Sequence, residues 1–179
     1  MASFNSINDL KCHANGYLFN DLLKKELGFD GFVISDWQGI DEIPGNYKSD
    51  IVTSINAGID MIMVPGAVKG GGEHYKTFLR LFKESVDEGL ILEKRLDDAV
   101  RRILRIKFRS GIIDNPMTDR TLLKKVGSDE HKSIAREAVQ KSLVLLKNDG
   151  ILPLNRSKHY FVTGSGSDDI GKQCGGWTI

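Results

Sequence analysis

The chain has 179 residues, with 25 Lys or Arg and 24 Asp or Glu, so its formal net charge at pH 7 is only +1. This balance provides no long-range attraction to nucleic acid or to an anionic membrane, and we expect neither partner. Its apolar runs fall short of the ~20 residues that cross a bilayer, and residues 1–15 lack the basic and apolar regions of a signal peptide. Two cysteines, Cys12 and Cys174, and 4 scattered histidines predict no disulfide framework, no metal site and no other cofactor.

The first predicted elements are a short strand over residues 3–7 and an amphipathic helix over 15–27, in which leucines recur every three to four positions. Gly28 ends the helix. Between these elements Cys12 and His13 are adjacent, so their side chains diverge on most backbones. A Cys–His catalytic pair is therefore not favoured.

A short apolar run over residues 32–34 stops at a carboxylate and an indole. The run is rich in β-formers, as in a strand buried on both faces of a parallel sheet, and Asp36 follows at its carboxyl end, where α/β proteins bind ligands. Position alone weighs a catalytic Asp36 equally against an Asp that caps the next turn. Trp37 favours the first interpretation because a flat indole suits the face of a sugar ring, although an isolated Trp is more often part of a core.

A second helix and strand follow, over residues 51–57 and 59–64, separated by Gly58. Alternation of helix and buried strand predicts βα units in a parallel sheet. Asp60 lies at the start of its strand, which is the end that usually serves stability. We therefore predict a structural role for Asp60.

Two glycine-rich segments resemble phosphate-binding loops. Residues 70–72 lack the Lys-Ser or Lys-Thr of a P-loop, which favours a flexible loop. Residues 164–166 follow a predicted strand as in a dinucleotide site, but Asp169 stands where the third glycine belongs. A nucleotide site at either segment is the weaker interpretation.

Two helices are predicted over residues 75–88 and 92–109. Arginines cluster on one side of the second helix, at Arg95, Arg101, Arg102, Arg105 and Arg109. Asp98 interrupts this basic face and no aromatic residue interleaves with it, so we predict a solvated face rather than a nucleic-acid surface.

The rest of the chain is predicted to be a linker and the beginning of another domain. The linker contains Pro116 and Gly127, which interrupt regular secondary structure. After the linker, a helix is predicted over 133–140 and strands over 143–146 and 160–163. The predicted domains are 1–111, a linker at 112–130, and 131–179.

Residues 31–41, which include Asp36 and Trp37, closely resemble the nucleophile motif of glycoside hydrolase family 3, the plant β-glucosidases and exo-β-glucanases. Further segments resemble later family blocks in the family's order, namely 57–65, 95–104, 141–148 and 174–179. The resemblance implies an α/β protein: the C-terminal part of a (β/α)₈ TIM barrel, followed by the start of an α/β sandwich domain.

The resemblance also implies retaining, exo-acting hydrolysis of a β-glucan or β-glucoside oligosaccharide outside the cell or in the cell wall. Asp36 corresponds to the nucleophile and Trp37 to a residue that stacks on the substrate. Phe4 stands where the family commonly has a substrate-contacting Tyr, and Glu42 replaces an Arg near the second sugar. The family's usual acid, a Glu in the second domain, has no counterpart among these residues.

A (β/α)₈ barrel takes ~250 residues, whereas the first part of this chain holds two or three βα units. We therefore expect the 179 residues to be a fragment that is inactive by itself. Two other classes stay open: a non-catalytic remnant, and a small α/β module that binds a nucleotide or sugar through the loop at Gly164.

Overall fold

A computed structural model describes residues 1–66 and 74–176 of the chain. The chain divides into two units, Met1–Thr118 and Asp119–Ile179. The division falls inside the predicted linker at 112–130. The glycine-rich segment 70–72 lies outside the described residues, as does the end of the segment 174–179.

The described part of the first unit contains a hairpin, a π-helix and α-helices, which include the cores of the four helices predicted for this region. Their bounds are β1 Ser6–Ile7, β2 Leu10–Lys11, the π-helix Tyr17–Glu26, α1 Tyr47–Ala57, α2 His74–Asp87 and α3 Glu93–Arg109, with 3₁₀ turns at Cys12–Ala14 and Gly39–Glu42. No helix among the described residues combines the length and the apolarity needed to cross a membrane.

The strand predicted over residues 3–7 is wrong in extent. Only Ser6–Ile7 is a strand, and it pairs antiparallel with Leu10–Lys11. Asn8 and Asp9 connect the two with φ of 49° and 64°. Positive φ at both central residues is the geometry of a tight hairpin turn, which Asn and Asp tolerate better than most residues. The segment therefore pairs locally with itself.

The two predicted buried strands run parallel, as expected, but they share only an isolated bridge between Ile34 and Met61. The Ser35 amide donates to the Met61 carbonyl at 2.9 Å, and on the other side the Ala2 amide donates to the Ile34 carbonyl at 2.8 Å. The Ile34 segment thus bonds to another part of the chain on each of its two sides. A regular ladder over 59–64 does not form: the Asp60 and Met61 amides both donate to the Val33 carbonyl, at 2.8 and 3.1 Å, and the Met63 amide donates to the Ser35 hydroxyl instead of a backbone carbonyl.

Helix α1 packs against these extended segments and has a defined start and end. The Asn46 side chain accepts from the Ser49 amide at 3.0 Å, and Gly58 closes the helix with a φ of 113°. Its apolar face enters the core, which consists of Ala2, Phe19, Val33, Ile40, Ile43, Tyr47, Ile51, Ile55, Ile59 and Ile91. The core therefore lies beneath the segment that carries Asp36.

Asp60 ties the π-helix, the Val33 segment and α3 together. Its side chain is fully buried and accepts from the Lys24 ammonium at 2.9 Å, from the Val33 amide at 2.8 Å and from the Arg95 guanidinium. Burial lowers the pKa of Lys24, while the hydrogen bond and the charge of Asp60 oppose that shift. The predicted structural role of Asp60 is confirmed.

The predicted solvated face of α3 is wrong for two of its arginines. The side chains of Arg95 and Arg102 are only 13% and 14% exposed. Arg102 donates to the carbonyls of Phe29 and Gly31, both at 2.9 Å, whereas Arg101 is 69% exposed. Guanidinium groups can satisfy several backbone carbonyls at once, so this side of the helix packs on the loop that precedes the Asp36 segment.

The second unit is described separately. It contains a 3₁₀ turn at Arg120–Lys125 and the helices α4 Asp129–Ser142 and α5 Ile170–Gln173, so the helix predicted over 133–140 is confirmed. The strands predicted over 143–146 and 160–163 are wrong, because the structure describes these residues without strand pairing. Leu146 and Phe161 are each 92% exposed. A strand requires a hydrogen-bonded neighbour, and β-propensity alone does not supply one.

We expect Asp60→Ala to unfold the first unit. Removing the carboxylate from this buried cluster leaves the charges of Lys24 and Arg95 uncompensated, which lowers the free energy of unfolding by about 3–5 kcal/mol. In the 179-residue chain, urea unfolding followed by circular dichroism should lose its helical transition. Asp97→Ala is the matched control, because Asp97 is 57% exposed and pairs with Arg101 at 3.2 Å; its cost should be under about 1 kcal/mol. A wild-type midpoint for Asp60→Ala would refute the structural role.

Candidate functional site

Asp36 lies two residues beyond the parallel bridge, where the backbone turns. Its amide donates to Nε2 of His13 at 3.0 Å, its carbonyl accepts from the Gly39 amide at 3.1 Å, and its Oδ1 accepts from the Trp37 amide at 2.7 Å. The side chain thus takes part in the turn, as the capping interpretation predicts. The residue as a whole is half-buried, between the fully buried Ser35 and the exposed Trp37.

Ser35 joins the Asp36 segment to its parallel neighbour. The residue is fully buried, and its hydroxyl accepts from the Met63 amide at 2.8 Å while it donates to the Asp36 carbonyl at 2.9 Å. Together with the hydrogen bond from the Ser35 amide to the Met61 carbonyl, these bonds hold the end of the Asp36 segment rigid. A rigid backbone at the residue that carries the carboxylate suits a reaction that demands precise positioning.

His13 lies directly behind Asp36 and was not predicted as a site residue. The ring is 0% exposed, and its Nδ1 has no hydrogen-bond partner among the residues that the structure describes. Burial lowers the pKa of His13, and the charge of Asp36 opposes this shift. Cys12 donates instead to Oδ1 of Asn5 at 3.5 Å, so the two adjacent side chains serve different partners.

The aromatic residues of the predicted site are both accessible. Trp37 is 52% exposed and Phe4 is 43% exposed, so Trp37 is not a core residue. The Phe4 ring meets the His13 ring edge to face, with 6.4 Å between centroids. His13 therefore connects Phe4 to the Asp36 backbone, which the sequence could not reveal.

A pair of opposite charges lies on the hairpin side of the site. Lys11 reaches Oε2 of Glu42 at 3.5 Å, and its ammonium is also 5.8 Å from the centroid of the Phe4 ring. Glu42, the residue that departs from the expected Arg, thus has a local partner. Among the described residues no three His, Cys, Asp or Glu side chains are grouped as metal ligands would be.

The loop at Gly164 offers little support for nucleotide binding. Asp169 precedes α5, and its carboxylate accepts from the Lys172 amide at 3.0 Å. The acidic side chain therefore occupies the helix start, where a phosphate would need free amides and no negative charge.

Comparison with known proteins decides the family. Residues 1–106, more than half of the chain, match the description "Glycosyl hydrolase family 3 N terminal domain". The chain belongs to glycosyl hydrolase family 3. The match includes the whole site described above and ends within α3.

Curated relatives within this family are glycoside hydrolases. A lysosomal β-glucosidase of Dictyostelium discoideum is 30% identical over 100% of this chain and 22% of its own length. A β-xylosidase of Formosa agariphila is 34% identical over 88% of this chain and 22% of its own length. The chain thus spans about a fifth of these curated relatives.

Solved structures of the family also match. An exo-1,3/1,4-β-glucanase of a Pseudoalteromonas species is 42% identical, with a TM-score of 0.74 over 98% of this chain and 28% of the glucanase chain. A β-glucosidase variant of Listeria innocua, solved with laminaribiose, is 28% identical, with a TM-score of 0.66 over 84% of this chain and 21% of its own.

The plant subgroup of the sequence resemblance is not supported by these comparisons. The relatives come from bacteria, fungi and Dictyostelium. Two carry names that place them in a lysosome or in the periplasm. Family 3 membership is therefore established more firmly than any subgroup.

Proposed function

We propose that this chain contributes the nucleophile to a retaining, exo-acting family 3 β-glucosidase or β-glucan exohydrolase. Asp36 would attack the anomeric carbon and form the covalent glycosyl intermediate, while a second carboxyl group, roughly 5–5.5 Å away in retaining enzymes, protonates the leaving oxygen. The first unit would be the last part of a (β/α)₈ barrel. The second unit would begin an α/β sandwich.

The observation that carries the proposal is the placement of Asp36. It follows a parallel bridge, its backbone is held by His13 and Gly39, and the residue is half-buried rather than enclosed in the core. Catalytic groups of α/β barrels lie at this end of the strands. The exposed indole of Trp37 adjoins the carboxylate in sequence and offers a stacking surface for a sugar ring.

The relatives support the substrate class. Their names describe β-glucosidases, β-xylosidases and an exo-1,3/1,4-β-glucanase, and one is solved with laminaribiose, a β-linked disaccharide. We therefore propose a β-glucan or β-glucoside oligosaccharide as the substrate. The lysosomal and periplasmic relatives support a site of action outside the cytosol, which we propose to be outside the cell or in the cell wall.

A chimera provides the test. Residues 1–179 replace the matching segment of the Pseudoalteromonas glucanase, of which they cover 28%, and the glucanase supplies the rest of its own chain. The proposal expects release of the aglycone from an aryl β-glucoside. A thermal-shift screen of residues 1–179 alone tests the alternative: stabilisation by a nucleotide, but not by glucose or gluconolactone, would favour a nucleotide-binding module.

We expect Trp37→Ala to weaken the chimera through lost stacking. The half-exposed indole contributes contact area rather than a reacting atom, so its loss should weaken transition-state binding by about 1–3 kcal/mol, which lowers kcat/KM about 5- to 150-fold. The measurement is aryl β-glucoside hydrolysis by Trp37→Ala and by Trp37→Phe, which keeps a ring and should recover part of the loss. Unchanged kinetics with a lowered melting temperature would contradict a substrate contact.

A further inference from the structure

We propose that His13 is a positioning residue for Asp36: its ring accepts the Asp36 amide hydrogen and so holds the carboxylate in the orientation needed for attack. The contact between Nε2 and the amide nitrogen is 3.0 Å, and the ring is fully buried. The inference rests on the proposed function, since it gives His13 a part in the reaction assigned to Asp36.

The hydrogen bond determines which tautomer His13 adopts. Because the Asp36 amide is the donor, Nε2 must carry its lone pair, and the hydrogen of a neutral ring then resides on Nδ1. Burial is the main cause that lowers the pKa of His13 and so favours the neutral ring; the charge of Asp36 opposes this shift, and the charge of Lys11 adds a smaller lowering. A protonated ring would place an N–H against the Asp36 amide and break the bond.

The position of the ring is fixed by its neighbours. His13 lies in the 3₁₀ turn Cys12–Ala14, and a Cβ on Gly39 would overlap its ring atoms. Gly39 itself donates its amide to the Asp36 carbonyl at 3.1 Å, while Phe4 covers an edge of the ring. The ring, the glycine and the Asp36 backbone therefore form one packed set.

This arrangement acts on the carboxylate through the backbone. With its amide bonded to His13 and its carbonyl bonded to Gly39, Asp36 is held on both sides of its Cα. Its Oδ1 is bonded to the Trp37 amide, so the same turn orients both predicted site residues. Fixing an attacking group in this way lowers the barrier because less ordering remains for the transition state.

The experiment compares substitutions of similar size in the glucanase chimera. His13→Leu removes the acceptor, and we expect kcat to fall about 10- to 100-fold with KM changed by less than about twofold. His13→Gln offers Oε1 to the same amide and should recover kcat to within about threefold of wild type. Cys12→Ala is the control: it alters a buried neighbour that bonds Asn5, so it should lower the melting temperature and leave kcat unchanged.

Two measurements on the glucanase chimera do not depend on turnover. Nitrogen chemical shifts should show His13 protonated on Nδ1, and exchange of the Asp36 amide should accelerate in His13→Leu but not in His13→Gln or Cys12→Ala. A proton on Nε2 would overturn the inference even if His13→Leu fails to fold. Equal losses of kcat in His13→Leu and His13→Gln would also overturn the inference. An unchanged kcat in His13→Leu would do the same.

Failure of the proposed function gives a different result. In that case Asp36→Asn keeps its turnover, whatever the turnover of the His13 variants. The positioning role of His13 is then refuted together with the proposed function. If Asp36→Asn abolishes turnover while His13→Leu does not reduce it, the proposed function stands and only the positioning role is refuted.

Discussion

Asp36→Asn should lower turnover of the glucanase chimera by at least several orders of magnitude while leaving its fold intact. Asn has nearly the same shape and can still accept from the Trp37 amide through its side-chain oxygen, so the turn is preserved. It cannot form the glycosyl ester on which retaining hydrolysis depends. The measurement is the rate of aglycone release from an aryl β-glucoside, with the melting temperature as the check on folding.

Asp21→Asn is the matched control, because Asp21 is an exposed aspartate on the π-helix. It makes the same chemical change and should keep wild-type turnover. Azide provides a positive test in the Asp36→Gly variant, because the small anion can take the place of the missing carboxylate. Added azide should restore turnover and yield a glycosyl azide of α configuration. Retention of more than about a tenth of the wild-type rate by Asp36→Asn would show that another group is the nucleophile.

The second large effect concerns residues 1–179 by themselves, which we expect to release no aglycone and to be at best marginally folded. Asp36 supplies only one of the two carboxyl groups, and a general acid typically contributes ~10² to 10⁴ in rate. The described residues of the second unit also leave large apolar side chains uncovered, such as Leu146 and Phe161 at 92% exposure. Exposed apolar patches of this kind favour aggregation.

Hydrogen exchange by mass spectrometry tests this expectation within one chain. Segments 143–146 and 160–163 should exchange as fast as an unfolded peptide, because the structure describes them without strand pairing. Exchange through α1 should be slower, since Ile51 and Ile55 lie in the core of the first unit. Aglycone release that disappears in Asp36→Asn, together with slow exchange over 143–146, would show that the chain is self-sufficient.

Local signals in the sequence determined the helices and the place of Asp36. Apolar spacing predicted the segments that became α1, α2 and α3, and Gly58 marked the end of α1. These signals are reliable because helix hydrogen bonds and caps join residues only a few positions apart. The parallel relation of the segments at Ile34 and Met61 also follows from the alternation of helix and strand.

Tertiary structure alone decided which side chains serve the site and which are buried. His13 bonds Asp36 across 23 positions, and Arg102 reaches Gly31 across 71, so no local pattern indicates either contact. For the same reason the basic face of α3 was misassigned, because the charge of a helix face does not reveal what packs against it. The strands over 143–146 and 160–163 were predicted from β-propensity, but strand pairing depends on neighbours distant in sequence, which propensity does not encode.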